Sequence, residues 1–201
     1  MSTTNHPPTK VAKPFSKDRD GFVIAEGAAT LVLESLESAI ARGAKVLGIL
    51  KGCGEKADHF HRTRSSPDGG PAIATIRAAL EDAGIDESGI GYINAHGTST
   101  PENDKMEYLS MSTVFGDRLA GIPLSSNKSM IGHTLTAAGA VEAVFSIQTM
   151  LTGTLPPTIK YKEPDPTNLL DGVPNVKRDA QVKASISQIL YIVRLTLPPP
   201  R

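Results

Sequence analysis

Apolar and polar positions along the chain follow two rhythms, period two and period 3.6, and glycines mark the changes between them. After a turn-forming stretch from Gly21 to Gly27, Thr30-Leu31-Val32-Leu33 reads as a buried strand, and Leu36 to Arg42 as a short helix stopped by Gly43. Lys45 to Lys51 reads as a further strand. Ala72 to Ala83 sets Ile73, Ile76 and Leu80 on one helical face with Gly84 at the stop, and Gly91-Tyr92-Ile93-Asn94 is the strand that follows. Glu102 to Phe115 is helical with Gly116 as its stop, and Ile122 to Ser126 is extended. Thr136 to Thr152 is a helix with Val141, Val144, Phe145 and Leu151 toward the core. Alternating helix and strand predicts α/β layers.

The flanks lack this order. The first thirteen residues carry Pro, Thr and Asn without periodicity and read as a disordered lead. Beyond Gly153, five prolines between Pro156 and Pro174 predict extended loop over a surface. The tail from Gln188 joins the apolar, uncharged, β-prone run Ile189 to Val193 to a Pro-Pro-Pro-Arg end, a pattern that invites aggregation if nothing covers it.

Composition narrows the classes of function. A chain of 201 residues suits one globular domain or half of a larger one, and its 21 basic and 21 acidic side chains cancel. No net field favours nucleic acid or anionic lipid, so neither is expected as a partner. No apolar stretch approaches the roughly 20 residues of a bilayer span, and the N-terminus lacks the basic-then-apolar order of a secretory signal. The expectation is a cytoplasmic protein. Cys53 is the only cysteine, which excludes an internal disulfide and a cysteine-based metal cluster; at the end of its strand it reads as a packed residue. His59 and His61 form a His-x-His pair, but no third ligand has a clear claim, so no metal is expected.

Two segments place a histidine among small, turn-forming residues directly after a predicted strand: Asn94-Ala95-His96-Gly97-Thr98-Ser99-Thr100 and Asn127-Lys128-Ser129-Met130-Ile131-Gly132-His133. Either alone could be a tight turn whose histidine satisfies local backbone groups. The pair points to chemistry, because strand-end loops are where α/β folds carry function.

With Pro14-Phe15-Ser16-Lys17-Asp18-Arg19-Asp20-Gly21-Phe22, these runs resemble three successive signatures of the elongating β-ketoacyl-acyl-carrier-protein synthases, and the likeness extends from about Pro14 to Ser187. The resemblance implies a thiolase-like architecture of α/β/α/β/α layers, of which only the C-terminal half is present. It implies that His96 and His133 are catalytic, stabilising the enolate formed as malonyl thioester loses carbon dioxide. Lys128 and Glu142, which alone would read as a solvated lysine and a helix-surface carboxylate, match a supporting ion pair. Asp104 matches a supporting carboxylate, with Asn103 where a glycine is usual; it could equally be a first-turn carboxylate facing the helix dipole. Thr98 and Thr100 match residues that meet the phosphopantetheine arm. The implied partners are acyl carrier protein and, in the intact family, a second identical subunit. No cofactor is implied.

The resemblance also implies what is missing. The family holds its acyl group on a cysteine in the N-terminal half, and the residues before Pro14 are too few to contain that half. Cys53 lies outside any nucleophile signature. After Ser187 the family continues into an Asn-Ser-Phe-Gly-Phe-Gly-Gly type segment that helps form the oxyanion hole, whereas this chain reads Gln188-Ile189-Leu190-Tyr191, as a frameshift or truncated product would. The isolated chain is therefore expected to be inert. A non-catalytic fragment, a partner subunit like the chain-length factors, and a thiolase relative remain alternatives.

Overall fold

The computed structural model describes residues 1–4, 6–62, 64–188 and 192–196. The main helices are α1 (Leu36–Ala41), α2 (Gly70–Asp82), α3 (Pro101–Phe115), α4 (Lys128–Ile131) and α5 (Ala138–Thr152). The strands are β1 (Ile49–Gly54), β2 (Tyr92–Asn94), β3 (Leu124–Ser125), β4 (Thr154–Leu155), β5 (Arg178–Asp179), β6 (Ala184–Gln188) and β7 (Ile192–Thr196). Five of them form one sheet in the order β1-β7-β6-β2-β3. β2 runs parallel to β3 and β6, while β7 is antiparallel to both β1 and β6.

Strand pleating sends successive side chains to opposite faces, and here each face is buried under helices. Ile93 and Ile186 point to the face covered by α2 and α3, where they meet Ile76, Leu80, Met111 and Phe115. Tyr92 points to the other face and packs with Ala143 and Met150 of α5 and with Leu155. The result is an α/β/α sandwich. On β1 the glycines do the close packing: a Cβ on Gly54 would lie 2.1 Å from the Thr75 carbonyl, and one on Gly52 would lie 2.6 Å from the Ala79 carbonyl. With Gly52 and Gly54 turned to α2, Cys53 is turned away and exposed, contrary to the expectation that it is packed.

Several other expectations fail for physical reasons. Thr30 to Leu33 forms no strand; Val32 and Leu33 are 84% and 72% exposed, so this apolar run has nothing to pair with among the described residues. On α5 the buried positions are Ala138, Ala143, Ser146, Thr149 and Met150 along with Glu142, whereas Val141, Val144 and Phe145 are half-buried and Leu151 is exposed. Small side chains let that helix approach the sheet. The run Leu135–Thr152 is also long and apolar enough to pass for a bilayer span, contrary to the sequence reading. Its buried face on the sheet and its paired Glu142 are those of a core helix.

Described residues of the lead are tied to the rest of the chain. Ser2 and Thr4 both donate hydroxyl hydrogen bonds to Asp20, the Ser2 N–H donates to the Phe22 carbonyl, and Val11 and Ala12 are buried. In the tail, Ile192–Thr196 lies inside the sheet, bonded on both edges. Ile189, Leu190 and Tyr191, the start of the suspected aggregation window, lie outside the described residues.

Candidate active site

The site forms at the carboxyl ends of the adjacent parallel strands β2 and β3, the edge where α/β sheets place ligands. His96 follows β2 by two residues and Lys128 follows β3 by three, so the two loops emerge side by side. Gly97 makes their contact possible. It has φ +42, and a Cβ there would sit 2.5 Å from that of Ser126, whose hydroxyl donates to the Gly97 carbonyl at 2.7 Å. Gly132, at φ +76, ends α4 and turns the chain to His133. The His133 loop is stitched to the segment after Gly21: its N–H donates to the Val23 carbonyl, and its carbonyl accepts from the Ala25 N–H.

The rings of His96 and His133 have centroids 5.3 Å apart and meet edge to face. Lys128 Nζ lies 3.2 Å from His96 Nδ1, 2.7 Å from the His96 carbonyl, and in contact with Glu142. An ammonium can only donate, so His96 Nδ1 is an acceptor and its proton is on Nε2. The Leu135 backbone N–H donates to His133 Nδ1 at 3.1 Å, which puts the His133 proton on Nε2 as well. Both imidazoles are held neutral. Burial and then the Lys128 charge lower the His96 pKa well below its usual value, and the same two causes lower that of His133.

Thus His96, Lys128, His133 and Glu142, spread over almost fifty residues of sequence, meet in one place. Lys128 and Glu142 are 3% and 2% exposed, which leaves neither as a surface charge. Burial raises Glu142 to about 7 against the opposing pull of Lys128. Asn94 anchors the helix behind them, donating to the Glu142 carbonyl at 3.1 Å.

Asp104 lies behind this group. It accepts the Phe15 N–H at 2.8 Å and has Arg19 Nε at 3.6 Å, while Arg19 also reaches Asp165 at 2.8 Å, so it ties the 14–20 segment and the proline-rich loop to the start of α3. Burial pushes Asp104 up to about 6. Thr98 and Thr100 follow the His96 turn with their hydroxyls 3.0 Å apart, and Thr100 caps α3 by accepting the Asn103 N–H. His59 and His61 sit on the exposed loop after β1.

The sequence reading missed Glu107. Its carboxylate accepts the N–H groups of His96 at 2.6 Å and Gly97 at 2.8 Å, and burial raises its pKa to about 8. The one signal was its spacing: three residues after Asp104 on a helix, it shares that buried face.

The chain matches the description "Beta-ketoacyl synthase, C-terminal domain" over residues 47–162 and "Beta-ketoacyl synthase, N-terminal domain" over residues 1–39. It belongs to the β-ketoacyl synthase family. It is 43% identical over 187 residues to the 3-oxoacyl-[acyl-carrier-protein] synthase 2 of Synechocystis sp. and 42% identical to that of Coxiella burnetii. Each alignment covers 93% of this chain and 45% of the relative, so the chain spans about half the length of the curated relatives it matches. Among solved structures, a β-ketoacyl synthase from Burkholderia phymatum superposes with a TM-score of 0.92 at 37% identity, covering 98% of this chain and 49% of the other. A ketosynthase of a type II polyketide synthase, solved with its acyl-carrier protein, superposes with a TM-score of 0.92 at 36% identity over 97% of this chain and 49% of the other. The fold is the thiolase-like fold of the ketosynthases, represented by about half of such a chain.

Proposed function

We propose that this chain carries the decarboxylating half of a β-ketoacyl synthase active site, acting on malonyl carried by acyl carrier protein. The observation that supports this most directly is the pair of neutral imidazoles 5.3 Å apart, each with Nδ1 occupied and Nε2 protonated. Two such donors suit one thioester oxygen. When the bond between the malonyl α-carbon and its carboxylate breaks, carbon dioxide leaves and the electron pair becomes an enolate whose charge lies on that oxygen. The enolate carbon then attacks an acyl thioester carbonyl, the tetrahedral intermediate collapses with loss of thiolate, and a 3-oxoacyl product forms. Lys128 keeps the His96 tautomer, Glu142 holds the Lys128 side chain in place, and Thr98 and Thr100 offer short neutral groups to the phosphopantetheine arm.

The acyl-holding cysteine has to come from the other half of the domain. Cys53 is on β1, three strand spacings or roughly 14 Å across the sheet from β2, and exposed. Of the exposed apolar positions Val32, Leu33, Leu36, Ile40, Leu47 and Leu50, the first three lie in the part that matches the N-terminal domain, Ile40 just after it, and Leu47 and Leu50 at the start of the part that matches the C-terminal domain. These positions are where that other half would seat, in a cytoplasmic synthase that pairs into a dimer. The same positions would serve a non-catalytic partner subunit.

The test is carbon dioxide release from malonyl-acyl carrier protein by the chain co-expressed with an N-terminal synthase half. His96→Ala and His133→Ala should each lower release by about 10²–10³, the effect of deleting one donor to a developing oxyanion. The chain alone should make no 3-oxoacyl product. Release unchanged in both variants would refute the assignment.

A further inference from the structure

We propose that Asn103 is a positioning residue for the His96 turn: its side-chain amide ties the buried carboxylates of Asp104 and Glu107 together, and Glu107 thereby holds the His96 and Gly97 N–H groups in one orientation. Asn103 Nδ2 donates to Asp104 Oδ1 at 3.1 Å and to Glu107 Oε2 at 3.2 Å. A primary amide has two N–H groups, one for each carboxylate. Glu107 then spends both oxygens on consecutive backbone amides, a two-point grip on the peptide that presents the His96 ring. The amide is itself fixed, because the Asn103 backbone N–H is capped by Thr100 at 3.1 Å at the start of α3.

The electrostatics give the amide work to do. Asp104 and Glu107 lie one helical turn apart, and both are buried. Arg19, from the 14–20 segment and itself tied to Asp165, faces Asp104 from one side. Lys128, from α4, faces Glu107 from the other, beside the neutral His96. Between the carboxylates stands the Asn103 amide. Without it, a proton can still join the two at mildly acid pH, but at alkaline pH two bare carboxylates face each other and the turn loses its hold.

The inference rests on the proposed role of His96, but the clamp is read out without turnover, by hydrogen exchange and mass spectrometry on the full chain. Alanine is the strongest helix former, so Asn103→Ala does not weaken α3 through propensity. Relative to the unaltered chain, Asn103→Ala should speed exchange in the segment 94–100 about tenfold at pH 9, the loss of a charge-assisted hydrogen bond, and by under about threefold at pH 6. Exchange in α5 should not change. Asn103→Asp, which adds a third carboxylate, should show a larger effect at pH 9, and adding Glu107→Gln to Asn103→Ala should remove the pH dependence. Equal acceleration in 94–100 and α5, equal acceleration at both pH values, or no acceleration would each overturn the proposal. Decarboxylation that does not depend on His96, alongside the expected exchange pattern, would instead count against the proposed function alone.

Discussion

Replacing Glu142 by alanine strips the Lys128 ammonium, 3% exposed in the unaltered protein, of its carboxylate partner. Its remaining acceptors are the His96 carbonyl at 2.7 Å and the His96 ring nitrogen at 3.2 Å, both neutral. Breaking a buried pair from one side typically costs about 3–5 kcal/mol, a large part of the roughly 5–15 kcal/mol that holds a domain together. For a chain of this length each 1 kcal/mol lowers Tm by about 2–4 °C, so Glu142→Ala should melt roughly 6–20 °C lower. Lys128→Met together with Glu142→Leu removes both charges and keeps the volume, and it should recover most of the loss. The assay is denaturant and thermal unfolding followed by circular dichroism on Glu142→Ala and on a double-mutant cycle of the unaltered chain, Lys128→Met, Glu142→Leu and the two together. A single-variant cost below about 1 kcal/mol, or a double variant no more stable than the singles, would show that Lys128 reaches water and that the pair is not a buried support.

Stability should fall as pH rises from about 5 to 8. Glu107 and Asp104 have folded pKa values raised to about 8 and about 6, so their contribution is complete below pH 4 and is lost as pH rises toward 8, whereas the depressed His96 loses stability as pH falls below about 6.5. Tm measured from pH 5 to pH 9 should fall as pH rises toward 8, because the raised carboxylates Asp104, Glu107 and Glu142 outnumber the depressed His96 and His133, and Glu107→Gln should reduce that fall; a Tm that rises between pH 7 and pH 8 would contradict the burial of Glu107. Gly97→Ala should abolish the fold around the site, because its Cβ overlaps Ser126; near-normal melting would mean that the two loops part easily. Ending the chain at Gln188 should lower soluble yield, since it removes the strand that joins β1 to β6, and a higher yield would place β1 elsewhere. Co-expression with an N-terminal synthase half should raise soluble yield, and Val32→Lys with Leu33→Glu should cancel that gain; a gain that survives would put the interface off these positions.

The features legible in the sequence were those set by neighbours along the chain. Ile76 and Leu80 faced the core as their spacing required, and the two histidine turns could be read because Gly97 and Gly132 sit where each strand or helix must end abruptly. Features set by distant contacts were hidden. Glu107 lies among Glu102, Asp104 and Lys105, a stretch that looks like a solvated helix face until tertiary packing buries half of it. On α5, ranking positions by hydrophobicity selected the large side chains, but closeness to the sheet selected Ala143, Ser146 and Thr149. Val32 and Leu33 were read correctly as apolar and wrongly as buried, because a single sequence does not say whether its partner strand is present.

The order of strands in the sheet carries a consequence for how the chain is made. β1 is joined to the rest of the sheet through β7, and the paired residues Gly54 and Ile192 are roughly 140 positions apart. At about 5–20 residues per second, β1 waits on the order of 7–28 s after its own synthesis before its partner leaves the ribosome. For most of that interval the edge of β2 that later pairs with β6 is also open, because β6 is made only just before β7. The fold is therefore most vulnerable during translation rather than after it. Slower elongation late in the message would lengthen that window, and a chaperone that covers strand edges would act on this chain while it is still attached to the ribosome.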